Sequence, residues 1–405
     1  MSNLIWISDM MLTAAFTLYC VSTILFFVSV TGQRFSNRDP KAHAKRFGRL
    51  GYISAVLGFV AHTAFIGLRW YIGGHIPTSN MFEFTQFLGY AMVVTFLGIY
   101  LIYRLPLIGM FVMPVAVLLI AYASVFPSEV TPLIPALQSY WLQIHVSTAA
   151  LGEGAFAIGF AAGLIYLLRT VDAEKSLKSA RWLEFVMWCM VVVISFVLLS
   201  TYFRITGYEA VFRAPADIKG QIMNVEMKYS MPAIVGPKDG TLLTEGKMRP
   251  LFAAPGFMQG EQAAHKFNSV IWSVFGGTVL YVLLRLTLRK RLAHPLSRLV
   301  QEIDPDLADE ISYRAIAIGF PIFTLGALIF AMIWAQEAWG RFWGWDPKEV
   351  WALITWLFYS VYLHLRLSRG WQGERSAWMA VLGFIVVMFN LVFVNLVLSG
   401  LHAYA

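Results

Sequence analysis

Apolar runs of 18 or more residues, hardly broken by charge, recur along the whole chain. They fall at about 9–30, 50–72, 82–103, 106–123, 141–168, 183–203, 267–288, 315–335, 349–367 and 377–400. Each is long enough to cross the hydrocarbon of a bilayer as a helix. The pattern predicts an all-α fold, a polytopic transmembrane helical bundle of about ten spans, six within 1–203 and four within 267–405. Between them, 204–266 carries Pro215, Pro232, Pro237, Pro250 and Pro255 and no long helical period, so it reads as a water-facing loop or small domain. The segment from Asp304 to Glu310 reads as a capped, acidic helix start before Ile311. No cleavage-site pattern precedes the first run, which is expected to stay as a helix.

Composition narrows the class further. Of 405 residues 58% are hydrophobic and 13% charged, against about 25% charged in ordinary soluble domains. The two cysteines, Cys20 and Cys189, sit far apart inside apolar runs, which excludes a disulfide framework and a CxxC thiol centre. The net charge of +8 would suit nucleic acid, but the basic residues follow the membrane topology instead. Alternate connections hold 20 and 11 Lys and Arg, and eight of the 11 lie in the long 204–266 stretch. Because short loops decide orientation, the richer set is expected in the cytoplasm, with both termini on the outer face and no nucleic-acid partner.

The connection after the eighth run is unusual. From Trp334 to Trp351 it holds five of the chain's 14 tryptophans, in the order Trp339-Gly-Arg-Phe-Trp343-Gly-Trp345-Asp346-Pro347. An interfacial aromatic belt needs only one or two such rings per helix end. In a helical stretch Trp339 and Trp343 would share a face, and Gly340 and Gly344 would let a flat body approach the backbone. The pattern points to a stacking platform for a large planar ligand.

Histidines suggest which ligand, because imidazole commonly ligates haem iron and an ionisable group inside a bilayer is costly. His145 lies one turn into the fifth run and His402 just past the tenth, both level with the tryptophans. The pair is placed to supply both axial positions of one haem. His364 lies about four residues, or ~6 Å, from the inner end of the ninth run, and His62 about twelve residues, or ~18 Å, from that of the second. A single haem joining those two is awkward, so His364 is expected to find its partner elsewhere. For His62, a buried hydrogen-bonded histidine and a ligand are both open readings. His43 and His294 fall in basic inner loops, and His75 and His265 in outer segments. Asp346, before Pro347, suits a turn or helix start as well as a role orienting propionates or water with Lys348.

The Trp339–Pro347 segment resembles the tryptophan-rich WWD signature of haem-handling proteins of cytochrome c maturation. Of these, the chain is most similar to the CcsA (ResC) subunit family of the system II cytochrome c synthase. Arg69-Trp70-Tyr71 with Gly74-His75-Ile76-Pro77-Thr78-Ser79-Asn80-Met81-Phe82-Glu83 is similar to that family's second motif, and Ser399-Gly400-Leu401-His402 to its C-terminal histidine motif. The 204–266 insert and the ten spans exceed the compact members.

The resemblance implies a bacterial cytoplasmic-membrane protein with its WWD segment, 334–351, on the outer face. It would carry haem b (iron protoporphyrin IX) across the membrane and present it for thioether attachment to the CxxCH motif of apocytochrome c. By the same resemblance His145 and His402 are the outer ligands, beside Trp339, Trp343, Trp345 and Asp346. His364 is the transmembrane ligand, completed by a CcsB/ResB-type membrane subunit, and lyase (synthase) activity belongs to that complex. A haem exporter without synthase activity, a b-type electron carrier using His62 and His364, and a scaffold for another enzyme remain alternatives.

Overall fold

The computed structural model describes residues 2–32, 39–124, 126, 128–130, 138–172, 174, 178–218, 221–255 and 263–394. Helices follow the apolar runs: α1 (Ser2–Thr31), α2 (Pro40–Gly73), α3 (Met81–Tyr103), α4 (Pro106–Ala123), α5 (Tyr140–Thr170) and α6 (Lys178–Ile205). After a small β unit come α7 (Ala263–Leu288), the short α8 (Ala293–Leu299), α9 (Pro305–Phe323), α10 (Ala331–Trp339), α11 (Pro347–Arg369) and α12 (Glu374–Phe389). A π-helical turn, Thr324–Phe330, fuses α9 to α10, and another, Asn390–Val394, extends α12. Among the described residues nine helices are long and apolar enough to span a membrane. The tenth expected span is described only as far as Val394. The chain is an integral membrane protein.

Helix starts obey their side chains. Asp39, Asn80, Ser139, Asp304 and Asp346 each accept a backbone N–H at an N-terminus, with Pro at the first turn of α2, α9 and α11. The acidic 304–310 start expected from sequence is therefore a real cap.

Burial separates centre from rim. In the most apolar window of α5, 83% of residues are buried, against 11% in α7. The buried face of α5 is rich in Gly and Ala, which lets α9 and α12 pack closely against it without a hydrophobic drive from lipid.

The 204–266 stretch contains β structure that the proline pattern did not predict. β1 (Ala210–Ile218) and β2 (Gln221–Tyr229) pair antiparallel from Ala210 opposite Tyr229 to Ile218 opposite Gln221, with β4 (Thr241–Leu242) on the other edge of β1. β3 (Val235–Gly236) and β5 (Phe252–Ala253) form a separate parallel pair. Phe212, Ala214, Met227 and Tyr229 make its small core. Asn268 of α7 anchors the unit, its Oδ1 accepting the N–H groups of Ile234 and Val235.

At the end of the bundle away from the tryptophans, Glu184 of α6 is 8% exposed and accepts from Tyr281 Oη at 2.8 Å, Arg285 Nη1 at 3.3 Å and the N–H groups of Leu292 and Ala293. One carboxylate thus joins α6, α7 and the start of α8. Glu184→Ala strands four donors and should destabilise the protein by about 3 kcal/mol. A melting temperature in detergent equal to wild type would refute that role.

Candidate functional site

The tryptophan end is organised by carboxylates already spent on hydrogen bonds. Arg69, near the C-terminal end of α2, donates Nε to Glu83 Oε1 at 2.9 Å, and the side chains are 4% and 1% exposed. Its Nη2 also reaches Ser128 O at 2.6 Å, and the guanidinium lies over Phe82. Ser79 donates both its N–H and its Oγ to Glu83 Oε2. The loop of the second motif is thereby pinned, and Thr78 to Met81 form part of a cavity rim.

Across that cavity, Glu349 accepts the N–H groups of Gly344 and Asp346, and Asp346 caps α11. The Asp346–Glu349 capping box fixes the exit of the tryptophan segment. Ser139, at the start of α5, donates to Glu337 Oε2 of α10 at 2.8 Å and ties the third wall.

The cavity has about 1280 Å³ of atom-free space, counting the part open to solvent. His145, Glu153, Trp334, Phe342, Trp343 and Lys348 are among its lining. The rest is mainly apolar, as expected of a site for a large organic ligand held by a few polar groups.

His145 is held on two sides. Its Nδ1 lies 2.9 Å from Gly326 O, and a carbonyl can only accept, so Nδ1 carries the proton and Nε2 the lone pair. Its ring stacks on Trp334, with centroids 5.8 Å apart and planes 13° apart. A histidine whose other nitrogen donates to a backbone carbonyl has the arrangement typical of metal-ligating imidazoles.

Gly326 makes this contact possible. A Cβ there would overlap the backbone of Thr148 and Ala149, so any side chain would push the π turn away from α5. The π turn itself lets Gly326 O accept from Ala331 N–H as well as from His145. Such turns commonly mark functional positions.

The tryptophans are arranged differently from the sequence expectation. α10 ends at Trp339, where Gly340 adopts the left-handed conformation (φ 70°) and returns its N–H to Gln336 O. Trp339 and Trp343 therefore do not share a helical face. Trp339 packs edge-to-face on Trp334 at 4.8 Å, away from the cavity lining, and Trp343 lines the cavity. Trp345 is 70% exposed at φ 57° and meets Trp343 edge-on at 5.9 Å. Gly344 accommodates the guanidinium of Arg341 against its backbone.

Of the expected iron ligands, His145 is at the cavity. His402 lies outside the described residues. His364 is exposed on α11, and His62 is fully buried in α2 between Tyr19, Phe65 and Tyr90, with neither ring nitrogen hydrogen-bonded to protein. The cavity does not bring His364 or His62 to His145. Among the described residues no cluster of three or more His, Cys, Asp or Glu side chains could hold a bare metal ion. Sequence reasoning missed Trp334, Gly326, Phe342 and Glu153 as site residues. The i, i+4, i+8 spacing of His145, Ala149 and Glu153 was the available signal for the last.

Residues 270–402 match a family model described as cytochrome C assembly protein. Relatives named cytochrome c biogenesis protein CcsA share about three residues in ten. The one from Microcystis aeruginosa is 32% identical over 359 residues, 88% of this chain and 87% of its own. That from Gloeobacter violaceus is 29% identical over 407 residues, 100% and 97% of the two chains, and that from Nostoc punctiforme 32% over 359 residues, 88% of each.

Gly326→Ala should cost about 1–3 kcal/mol by overpacking and displace the carbonyl that holds His145. Its melting temperature should fall, and haem titrated into the purified protein should bind more weakly. Unchanged values for both would contradict the assigned role of Gly326.

Proposed function

Because the chain belongs to the CcsA family of cytochrome c biogenesis proteins, we propose that its part in that process is to carry haem b across the membrane and present it in the tryptophan-end cavity. There the vinyl groups would meet the CxxCH thiols of apocytochrome c. The observation that carries this reading is the ring of His145, fixed in its tautomer by Gly326 O and in its plane by Trp334, at the wall of a largely apolar cavity.

The residues present suit the group. Nε2 of His145 would supply a lone pair to the iron, Trp343 and Phe342 would offer aromatic faces, and Lys348 on the lining would meet a propionate. His402 is the proposed second axial ligand. Trp339 acts through Trp334, Trp345 through the cavity-lining Trp343 that it meets edge-on, and Asp346 positions the segment as its cap.

The haem brings the electrophilic vinyl carbons. In the net addition a C–S bond forms, the thiol proton ends on the neighbouring vinyl carbon, and no electrons leave the reactants. The protein's contribution is to hold both partners in register and exclude water, which can supply much of a rate advantage by proximity. His364 is proposed as the transmembrane ligand near the opposite end, completed by a CcsB/ResB-type subunit; His62, enclosed in α2 between Tyr19, Phe65 and Tyr90, is a separate imidazole away from that route. The complex, in a bacterial cytoplasmic membrane with the WWD segment outward, would have cytochrome c synthase (lyase) activity.

His145→Gly, purified with its partner subunit, should lose most cavity haem or show a changed axial-ligand spectrum. Added imidazole should restore the spectrum and part of the cytochrome c yield. A wild-type spectrum and yield without imidazole would sink the proposal. Restored haem binding with no thioether product from the wild-type complex would favour an exporter.

A further inference from the structure

Below the cavity, the packing of α5, α9, α11 and α12 encloses polar atoms with no structural partner. Glu153 lies two turns along α5 from His145 on the same face. It lines the cavity, and its Oε2 is buried without a hydrogen bond. Next on α5, Phe156 stacks on Tyr359 of α11 with ring centroids 3.7 Å apart. Tyr359 is fully buried, and its hydroxyl has no hydrogen-bond partner in the protein either.

The file continues one turn further along α11. Tyr362 Oη accepts from Ser376 Oγ at 3.2 Å, and Ser376 Oγ accepts from Arg366 Nη1 at 3.1 Å. Arg366 also donates to Asp309 Oδ2 at 2.6 Å, while Asp309 Oδ1 is buried and unpartnered. Both side chains of that pair are about nine-tenths buried.

Each buried unsatisfied polar atom costs about 1–3 kcal/mol. A Phe at 359 would keep the stack on Phe156 without that cost. Glu153 Oε2, Tyr359 Oη and Asp309 Oδ1 are three such atoms, and internal water, which needs two or more polar partners, would satisfy them. From Lys348 at the cavity to Arg366, α11 advances about 27 Å, close to the thickness of the hydrocarbon.

We infer that Glu153, Tyr359, Tyr362 and the Asp309–Arg366 pair form a water-bridged proton path joining the cavity to the opposite end of the bundle. Intramembrane carboxylates in series with hydroxyls are the usual material of proton relays. A proton taken up at Asp309 is matched by one leaving Glu153, and each tyrosine and water gives one proton as it accepts another, so the path itself is unchanged.

Among the described residues lining the cavity with Glu153, the titratable groups are His145 on its own helix and Lys348 and Glu349 from α11, and Tyr359 of α11 lies below, stacked on Phe156. α3, α9 and the π turn after α12 contribute Phe84, Phe323 and Asn390. Glu349 is committed to backbone N–H groups, so Glu153 is the carboxyl placed to compensate charge arriving in the cavity. The path goes beyond haem presentation and does not require it.

The test uses the haem-free full-length chain in sealed vesicles with a trapped pH dye and valinomycin to clamp the potential. After an external pH step, wild-type proton flux should exceed that of Glu153→Gln and Tyr359→Phe by about tenfold or more. Tyr359→Phe removes a hydroxyl that has no protein partner and keeps the stack on Phe156, so its melting temperature should stay near wild type. Wild-type flux no higher than in empty vesicles, or undiminished flux in folded Glu153→Gln, overturns the path. If Tyr359→Phe does not fold, Glu153→Gln decides alone. The haem spectrum of His145→Gly does not enter this measurement, so either reading can fail without the other.

Discussion

The site depends on how closely α5 approaches the π turn between α9 and α10. His145 can reach a backbone carbonyl there because position 326 has no side chain and the wider turn leaves Gly326 O able to accept twice. The same approach sets the ring plane, since Trp334, two turns beyond Gly326 on the continuing helix, covers the face of the imidazole. One glycine and one indole thus turn a half-buried histidine into a pre-oriented nitrogen donor. An imidazole free to rotate would pay for its ordering when a ligand arrived, and here folding has already met that cost.

Around this contact, charge is used to fix irregular backbone. In a bilayer, non-helical chain is tolerated only where its polar groups are satisfied or a cavity is lined. Glu83 satisfies the loop before α3, Glu349 and Asp346 the segment before α11, and Glu184 the start of α8. These carboxylates are consumed by folding and contribute to the cavity through the loops they hold. Glu153 differs, because its buried Oε2 has no such use.

The spans were legible because bilayer hydrocarbon imposes length and apolarity directly on sequence. Nine are present among the described residues, and the capped start at Asp304 was equally plain. The β unit was not legible, since three of its five strands are two residues long and its proline spacing suggested only a loop. Gly340 was read as space for a flat ligand, whereas its φ of 70° ends α10 and separates Trp339 from Trp343. Only the fold could reveal that Trp334, fully buried in the interior, is the ring facing His145, or that a π turn supplies its acceptor. Both arise from the pairing of α5 with residues some 180 positions later.

α11 links the two levels at which imidazoles are proposed to act. Lys348 and Ala352 in its first turns line the cavity, and His364, sixteen residues beyond Lys348, is about 24 Å further along. The interior between these levels is closed: Phe156 stacks on Tyr359, and Phe160 on Phe384, in a packed core. A porphyrin cannot pass such a packed file of side chains. The face of α11 that carries His364 is the exposed one, with Leu357 and Val361 at 49% and 50% exposure. On the proposed reading, a flat substrate moving from His364 to the cavity must therefore travel along the outside of α11. A companion subunit or lipid would form the other wall of that route, and the core of this chain would serve only as its rigid inner side.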